Sequence, residues 1–402
     1  MTFMRTGTID ERIERPGRAL LGTVLVLGHA FKHMFNAGFF IVLPELQIHF
    51  RLSNAAIGTL STIRNTGGGL VNLPAGYIAD RFTDRWPIIL SLSLATMGIF
   101  HLLMGTFQTY WLLVIMATLG GMSISFWHPS AITALSQKFA SRRGFAIAMH
   151  GTGGSIGEAL GPIMVGALLG VVVWQSILQF GAIPALVVAV VVITALRGLR
   201  GDPASSIAFS TYISSIYRLI RQRGMFTILG VTAGATSAHA IVLTFLPIYL
   251  SVDLQYSAFE MSAFISASQV MGILSQPLMG YLSDRYTRKA VLLPTLVLLG
   301  FGILAVPLVG TGIPLIITIV IMGGAAFPLI AILVAAAMDV TQDGIPATTV
   351  SLVFSAAILF SAVTPAIAGI LADTYGVKAA FFMASGITFG AAIFTALRSM
   401  SR

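Results

Sequence analysis

The chain has 402 residues, of which 56% are hydrophobic and only 9% are charged, and it contains no cysteine. A soluble globular fold cannot bury that much apolar surface, so the composition predicts an integral membrane protein. The absence of cysteine excludes disulfides, thiol chemistry and cysteine metal sites. Residues 1–18 are charged and contain no short apolar run that ends in a cleavage site, so no cleavable signal peptide is expected.

Hydrophobic stretches of about 20 residues recur along the chain, and each is long enough to cross roughly 30 Å of hydrocarbon. They predict an all-α protein with twelve membrane-spanning helices. The predicted spans are 19–43, 54–79, 86–106, 109–137, 143–171, 174–197, 225–250, 256–283, 289–309, 312–338, 345–371 and 377–398.

The formal net charge of +9 is a topology signal, because most Lys and Arg residues lie on one side of the predicted spans. Arg51 and Lys378 lie on one side, Lys32 and Arg64 lie within spans, and all the others lie on the opposite side. The positive-inside rule places that opposite side, with both termini, in the cytoplasm. We therefore expect a multi-pass protein of the inner membrane, with the lipid bilayer and no nucleic acid as its partner.

The stretch 198–224 interrupts the hydrophobic pattern with Gly201-Asp202-Pro203 and several arginines. We interpret it as a cytoplasmic linker between two six-helix bundles, 1–197 and 225–402. The two bundles repeat sequence features at a nearly constant offset, which indicates an internal duplication. The matching pairs are Pro44 with Pro247, Gly120 with Gly323, Pro162 with Pro365, and Gly76 with Gly280.

Residues 76–85 read Gly-Tyr-Ile-Ala-Asp-Arg-Phe-Thr-Asp-Arg and resemble the signature loop of the major facilitator superfamily. The resemblance implies two pseudo-symmetric six-helix halves and a cytoplasmic gate. In that gate Gly76 allows close helix approach, and Asp80 meets a helix end and cations such as Arg81 and Arg85. These contacts are weak enough to break in each cycle. A charged loop that only fixes topology is the alternative. The weaker repeat contains Asp284 and Arg285.

The fifth predicted span contains Gly157-Glu-Ala-Leu-Gly161-Pro162-Ile-Met-Val-Gly166, which resembles the antiporter motif of drug exporters in the superfamily. Small residues four positions apart allow helices to pack closely, and Pro162 introduces a bend. Generic small-residue packing is the alternative interpretation.

A narrower resemblance, to the fosmidomycin-resistance group of drug:proton antiporters, covers most of the N-terminal half. It rests on Gly28-His29 with Met34, Phe126-Trp127-His128-Pro129, and Gly153-Gly154. The chain departs from that group where an acidic residue follows each of the two histidines, because His33 and Ser130 stand there. A proton relay must therefore use other residues.

His29, Lys32, His33 and Asn36 are spaced to lie on one face of the first helix, which predicts that this face lines a cavity or meets a partner helix. Lys32 and Arg64 both lie near the membrane midplane. If they converge they form an anion site. Alternatively, Glu158 pairs with one of them as a structural ion pair.

Glu158 is an acidic residue deep within a predicted span, and charged groups there are costly and usually functional. Together with His128 and His150, whose imidazoles titrate near neutral pH, it is predicted to carry protons. Gln269 and His239 belong to polar stripes on helices of the C-terminal half, and these stripes either bind substrate or pack helices. The predicted substrate-binding residues are Lys32, Arg64, His29, His33, Asn36, Asn65, His128, Gln269 and His239.

These features favour a secondary active exporter that exchanges a small, anionic organic compound or drug for protons. The proton gradient supplies the energy, no cofactor is needed, and the protein is expected to be a monomer. The alternatives are uptake or exchange of an organic anion, export of lipophilic cations, and a membrane receptor that does not transport. An enzyme is not expected, because the sequence has no nucleotide-binding loop and no recognised metal-ligand spacing, and no metal site is predicted.

Overall fold

The computed structural model describes residues 17–201, 214, 217–341 and 346–400. Within these residues the protein is helical, contains no strand, and forms fourteen α-helices. They are α1 (Arg18–Phe50), α2 (Asn54–Arg81), α3 (Trp86–Thr106), α4 (Tyr110–Ser125), α5 (Trp127–Lys138), α6 (Arg143–Leu169), α7 (Trp174–Ala195), α8 (Arg223–Ile248), α9 (Ala258–Arg285), α10 (Arg288–Ala305), α11 (Ile313–Val340), α12 (Pro346–Ser361), α13 (Thr364–Tyr375) and α14 (Lys378–Leu397).

Two of the predicted spans are each made of two helices. Span 109–137 is divided at Phe126 between α4 and α5, and span 345–371 is divided between α12 and α13. In both cases a proline, Pro129 or Pro365, lies in the first turn of the second helix. Proline fits the first turn of a helix because the N–H that it lacks has no partner there. Proline alone does not cause a break, since Pro162 and Pro328 lie inside the continuous helices α6 and α11.

Nine helical segments in the described part of the chain are long and apolar enough to cross a membrane. Two of these segments combine the paired helices α4 with α5 and α12 with α13. Helices α2, α6 and α9 are not among the nine, and they carry Arg64, Glu158 and Gln269. Polar groups at these positions make the three helices less apolar than their neighbours.

The two halves, α1–α7 and α8–α14, contact each other at one end of the molecule. The carboxylate of Asp373, at the end of α13, accepts hydrogen bonds from the backbone N–H groups of Asn54 and Ala55, at 2.7 and 3.0 Å. Two turns further in, the N–H of Ala366 donates to Thr62 Oγ1 at 3.1 Å. One hydrophobic core runs through this end and includes residues of both halves. We call it the closed end.

At the opposite end, where α2 and α9 finish, the halves diverge. Tyr77 and Tyr281 occupy equivalent positions and are 53% and 58% exposed. A Cβ added at Gly76 or Gly280 would have no neighbouring atom within 4 Å. The helix approach expected at Gly76 is therefore not made in this conformation, and we call this the open end.

The predicted linker, 198–224, lies mostly outside the described residues. Its start is attached to the loop after α2, because Gly201 donates its N–H to the carbonyl of Thr83 at 3.0 Å. Helix α8 begins at Arg223, within the last two residues of the predicted linker. The division into 1–197, 198–224 and 225–402 stays a prediction.

Candidate functional site

Helices α1 and α6 pack together through glycines of α6. Gly153, Gly157 and Gly161 are spaced four residues apart, and each lies against a backbone carbonyl of α1, those of Val26, Ala30 and Met34. A Cβ at any of the three would collide with that carbonyl, so only glycine permits this approach. The close packing places Glu158 beside the polar face of α1.

Glu158 forms its hydrogen bond with His33, whose Nδ1 lies 2.8 Å from Glu158 Oε1. The Glu158 side chain remains 26% exposed, so one edge of the carboxylate is accessible. The expectation that Glu158 forms an ion pair with Lys32 or Arg64 is therefore corrected. In this structure its partner is His33, which occupies the position after Lys32 on α1.

Three further histidines, His29, His128 and His150, form a compact cluster with Lys32 behind this pair. Nδ1 of His29 lies 2.6 Å from the carbonyl oxygen of His150, and the two rings stack with centroids 3.8 Å apart. Lys32 Nζ lies 2.6 Å from Nε2 of His128. The polar stripe of α1 therefore meets α5 and α6 rather than lipid, as its spacing predicts.

Arg64 occupies a separate place one turn further along α1. It donates from a terminal nitrogen to Asn36 Oδ1 at 2.7 Å, and its guanidinium lies over the ring of Phe39, 4.5 Å from the centroid. Arg64 and Lys32 are both buried, at 6% and 4% exposure. Each is held by a neutral partner, and neither lines the cavity described next. The predicted convergence of the two cations is not seen here.

A cavity of about 230 Å³ lies between the two halves. Glu158 is its charged wall residue, and most of the remaining wall is aliphatic or aromatic. Gln269 is notable because its Oε1 is buried without a hydrogen-bond partner. The polar and aromatic residues of the wall are Phe40, Glu158, Thr236, His239, Ser268, Gln269 and Phe327.

The other predicted site residues fall in three places. Pro162 lines the cavity, whereas Asn65 is half-buried on α2 and does not. Arg81 and Arg85 are exposed at the open end, and Arg85 lies over the ring of Phe82 at 5.3 Å. The side chain of Asp80 lies outside the described part of the structure.

In the repeated motif, Asp284 forms an ion pair with Arg288. Arg288 also binds Asp339, with Nε 2.8 Å from Oδ2. Arg285 instead contacts the hydroxyl of Tyr281 at 3.4 Å. Asp284 and Asp339 therefore pair within the C-terminal half in this conformation.

Sequence reasoning did not identify Asp373, Arg288 or the pairing of Asp339. Arg288 lies only three residues after the repeated motif, so the motif boundary could have been extended to include it. Asp373 carries a weaker signal, an acid at the end of a predicted span, and its role depends on contact with the other half. Phe40 and Phe327 are indistinguishable from lipid-facing residues in the sequence.

The sequence model of the Major Facilitator Superfamily matches residues 25–342 and 228–401. The fosmidomycin resistance protein of Escherichia coli is 24% identical over 156 residues, 39% of this chain and 37% of that protein. The membrane sensor protein UhpC of E. coli is 25% identical over 190 residues, 47% of this chain and 43% of that protein. The bacillibactin exporter of Bacillus subtilis is 36% identical over 67 residues, 17% and 16% of the two chains. The chain therefore matches less than half of the length of each of these relatives.

Solved transporters share the fold over nearly the whole chain. A bacterial homolog of the human lysosomal transporter Spinster, in an inward-facing and occupied conformation, superposes with a TM-score of 0.83 at 15% identity. The match covers 96% of this chain and 97% of that one. The nucleoside transporter NupG gives a TM-score of 0.71 at 15% identity over 94% and 98% of the two chains. The resemblance inferred from residues 76–85 is confirmed, and the chain belongs to the Major Facilitator Superfamily.

Proposed function

We propose that this protein is a proton-coupled exporter in which cargo and proton compete for Glu158 in the cavity between the halves. The observation that carries the proposal is the position of Glu158, which is partly exposed to the cavity and hydrogen-bonded to His33. A carboxylate at membrane depth is costly unless it is used. Here one side of it faces the space that a cargo would occupy.

The proposal includes twelve membrane spans, with α2, α6 and α9 crossing the bilayer beside the nine apolar segments. These three helices supply cavity or interface residues, which accounts for their lower hydropathy. The arginine-rich ends of α2 and α9 lie at the open end, so the positive-inside rule assigns this end to the cytoplasm. The structure then represents the state that loads cargo from inside, and rocking of the halves moves the opening to the other side.

The charge of Glu158 determines which cargo can be exchanged for protons. A cationic group binds the ionised carboxylate and is displaced when a proton neutralises it, so cargo and proton compete directly. An anion is repelled by the same carboxylate, so protonation would favour its binding and couple the two in the same direction. Export by exchange therefore favours a small organic cargo with a cationic or hydrogen-bond-donating group.

An anionic cargo, expected from the sequence, is the second candidate. Lys32 and Arg64 are buried next to neutral partners, so two cations and one carboxylate leave a surplus positive charge in the N-terminal half. A carboxylate, phosphate or phosphonate would offset it if rearrangement brought the cations to the cavity. In that case the protein would take up the anion together with protons, or exchange one anion for another.

Thermal-shift binding with purified protein separates the two candidates. The panel sets small phosphonates, phosphates and carboxylates against lipophilic amine drugs, for wild type, Glu158→Gln and Lys32→Ala. A ligand at 100 times its dissociation constant adds about 2.7 kcal/mol to the free energy of unfolding. Stabilisation by amines that Glu158→Gln abolishes supports the cationic cargo. Stabilisation by anions that Lys32→Ala abolishes supports the second candidate.

One matched relative is a sensor by name, so ligand binding alone does not establish transport. Proteoliposomes loaded with the stabilising compound provide the discriminating assay. A transporter moves the compound when a pH gradient is imposed, whereas a receptor binds it without moving it.

A further inference from the structure

Three imidazoles of the N-terminal half converge on one point outside the proposed cargo site. His29 and His33 lie one turn apart on α1, and His128 comes from the first turn of α5. One ring nitrogen from each of the three lies within 4.8 Å of the other two. The ring centroid of His29 lies 4.5 Å from that of His33 and 4.8 Å from that of His128.

The hydrogen bonds of His29 and His33 leave one nitrogen of each ring free. Nδ1 of His29 binds the carbonyl oxygen of His150, and Nδ1 of His33 binds the carboxylate of Glu158. Nε2 of both rings is buried without a hydrogen-bond partner. With the protons on Nδ1, both Nε2 atoms carry unused lone pairs, and a buried polar atom without a partner costs free energy.

This arrangement is the one that metal-binding histidines adopt. A ligating imidazole usually donates its second nitrogen to a carboxylate or a backbone carbonyl, which fixes the ring and makes the free nitrogen more basic. His33 has the carboxylate and His29 has the carbonyl. The sequence predicts no metal site, because it shows no recognised metal-ligand spacing. The third ligand, His128, lies far along the chain from His29 and His33.

We infer that His29, His33 and His128 bind a transition-metal dication of the Zn²⁺ class. Imidazole nitrogens suit Zn²⁺, Cu²⁺ and Ni²⁺, whereas Mg²⁺ and Ca²⁺ require oxygen ligands. Zn²⁺ binds nitrogen at about 2.0–2.1 Å and commonly takes three protein ligands and one exchangeable fourth ligand. The rings must move inward to reach that distance, and His33 and His128 are only half-buried.

Lys32 opposes the metal in the present conformation. Its Nζ lies 2.6 Å from Nε2 of His128, so the ammonium group uses the lone pair that a metal would need. A positive charge at that distance also repels a dication. Metal binding therefore requires Lys32 to move away from His128 or to lose its proton.

The site has a regulatory consequence because His33 belongs both to it and to the Glu158 pair. All three ligands lie in one half, so a bound ion does not tie the two halves together. It fixes the ring that Glu158 contacts at the cavity wall. Metal binding itself does not rest on the proposed function, and it can be measured without any cargo.

The test is metal binding to the purified full-length protein without a polyhistidine tag. Zn²⁺ titration measures affinity and stoichiometry, and Co²⁺ substitution gives the absorption of a tetrahedral nitrogen site. We expect one ion per chain, released by a chelator, and loss of binding in His29→Ala and His128→Gln. Glu158→Gln should weaken binding by about 10- to 100-fold, since it removes the carboxylate that supports His33.

Lys32→Met distinguishes a metal site from a cluster that only packs, because it removes the opposing cation and should tighten binding. Controls are His49→Ala, an exposed histidine, and His239→Ala, a cavity residue outside the cluster. Absence of a bound ion in wild type and in Lys32→Met overturns the inference, as does binding lost only in the control variants. With a chelator present, the thermal panel measures cargo binding without metal, so failure of the metal site leaves the proposed exporter intact.

Discussion

The imidazole of His33 and the carboxylate of Glu158 lie 2.8 Å apart and join α1 to α6 at the wall of the cavity. The pair exists because glycines of α6 let the two helices approach until their side chains meet. Helix packing and the proposed proton chemistry thus depend on the same stretch of sequence.

The glycine contact between α1 and α6 can be tested by adding one methyl group. Gly157→Ala should lower the free energy of unfolding by about 1–3 kcal/mol, because the new Cβ collides with the backbone of Ala30. Gly151→Ala is the matched control, since its Cβ meets no atom within 4 Å and alanine favours the helix by about 0.5–1 kcal/mol. Thermal unfolding in detergent should show opposite signs for the two variants. Equal effects would show that the close approach is not required.

Asp373 should hold the closed end shut. Asp373→Ala removes a carboxylate that caps the start of α2 from the other half. Loss of a cap costs about 1 kcal/mol, which changes the ratio of conformations about fivefold. The closed end should then open more often and the opposite end should close.

The cysteine-free chain allows this shift to be measured directly. Spin labels are attached to a Tyr77→Cys, Tyr281→Cys double variant. The distance between the two labels, measured by electron paramagnetic resonance, reports the width of the open end. We expect the short-distance population to increase in Asp373→Ala. It should stay at the wild-type level in Asp84→Ala, which removes an exposed acid in the loop after α2. An unchanged distance distribution in Asp373→Ala would show that Asp373 does not hold the closed end shut.

We expect Gln269 to contribute to ligand binding and to lower the stability of the ligand-free protein. Its Oε1 is buried in the cavity wall without a partner, which costs about 1–3 kcal/mol. Gln269→Leu should therefore raise the thermal midpoint of the ligand-free protein and reduce the shift caused by the stabilising panel compound. Gln276→Leu, on the same helix but away from the cavity, should leave the ligand shift unchanged. A lower midpoint with full ligand binding in Gln269→Leu would assign Gln269 to packing.

Much of the architecture can be predicted from the sequence because the relevant signals are local. Apolar run length locates the helices, and the spacing of His29, Lys32, His33 and Asn36 identifies a polar face. The placement of Lys and Arg indicates which ends of the helices face the cytoplasm. The breaks before Pro129 and Pro365 could not be predicted from proline alone, since Pro74, Pro162 and Pro328 lie within predicted spans that stay continuous helices.

The pairings could not be predicted in this way. The spacing of Lys32 gives its face and depth, but not that His128, far along the chain, would be its partner. Arg64 is directed to Asn36 and Phe39 by the way α1 and α2 pack, so two cations at equal depth need not meet. Asp373 joins residues of opposite halves, and that contact depends on how the two halves pack.

The central claim is that proton coupling passes through Glu158, and transport in proteoliposomes tests it most directly. The labelled panel compound that stabilises the protein is followed for wild type and Glu158→Gln, with and without an imposed pH gradient. We predict that the gradient drives accumulation in wild type only. Glu158→Gln should be unable to respond to the gradient, whether or not it still binds the compound. Gradient-driven accumulation by Glu158→Gln at the wild-type rate would contradict the account.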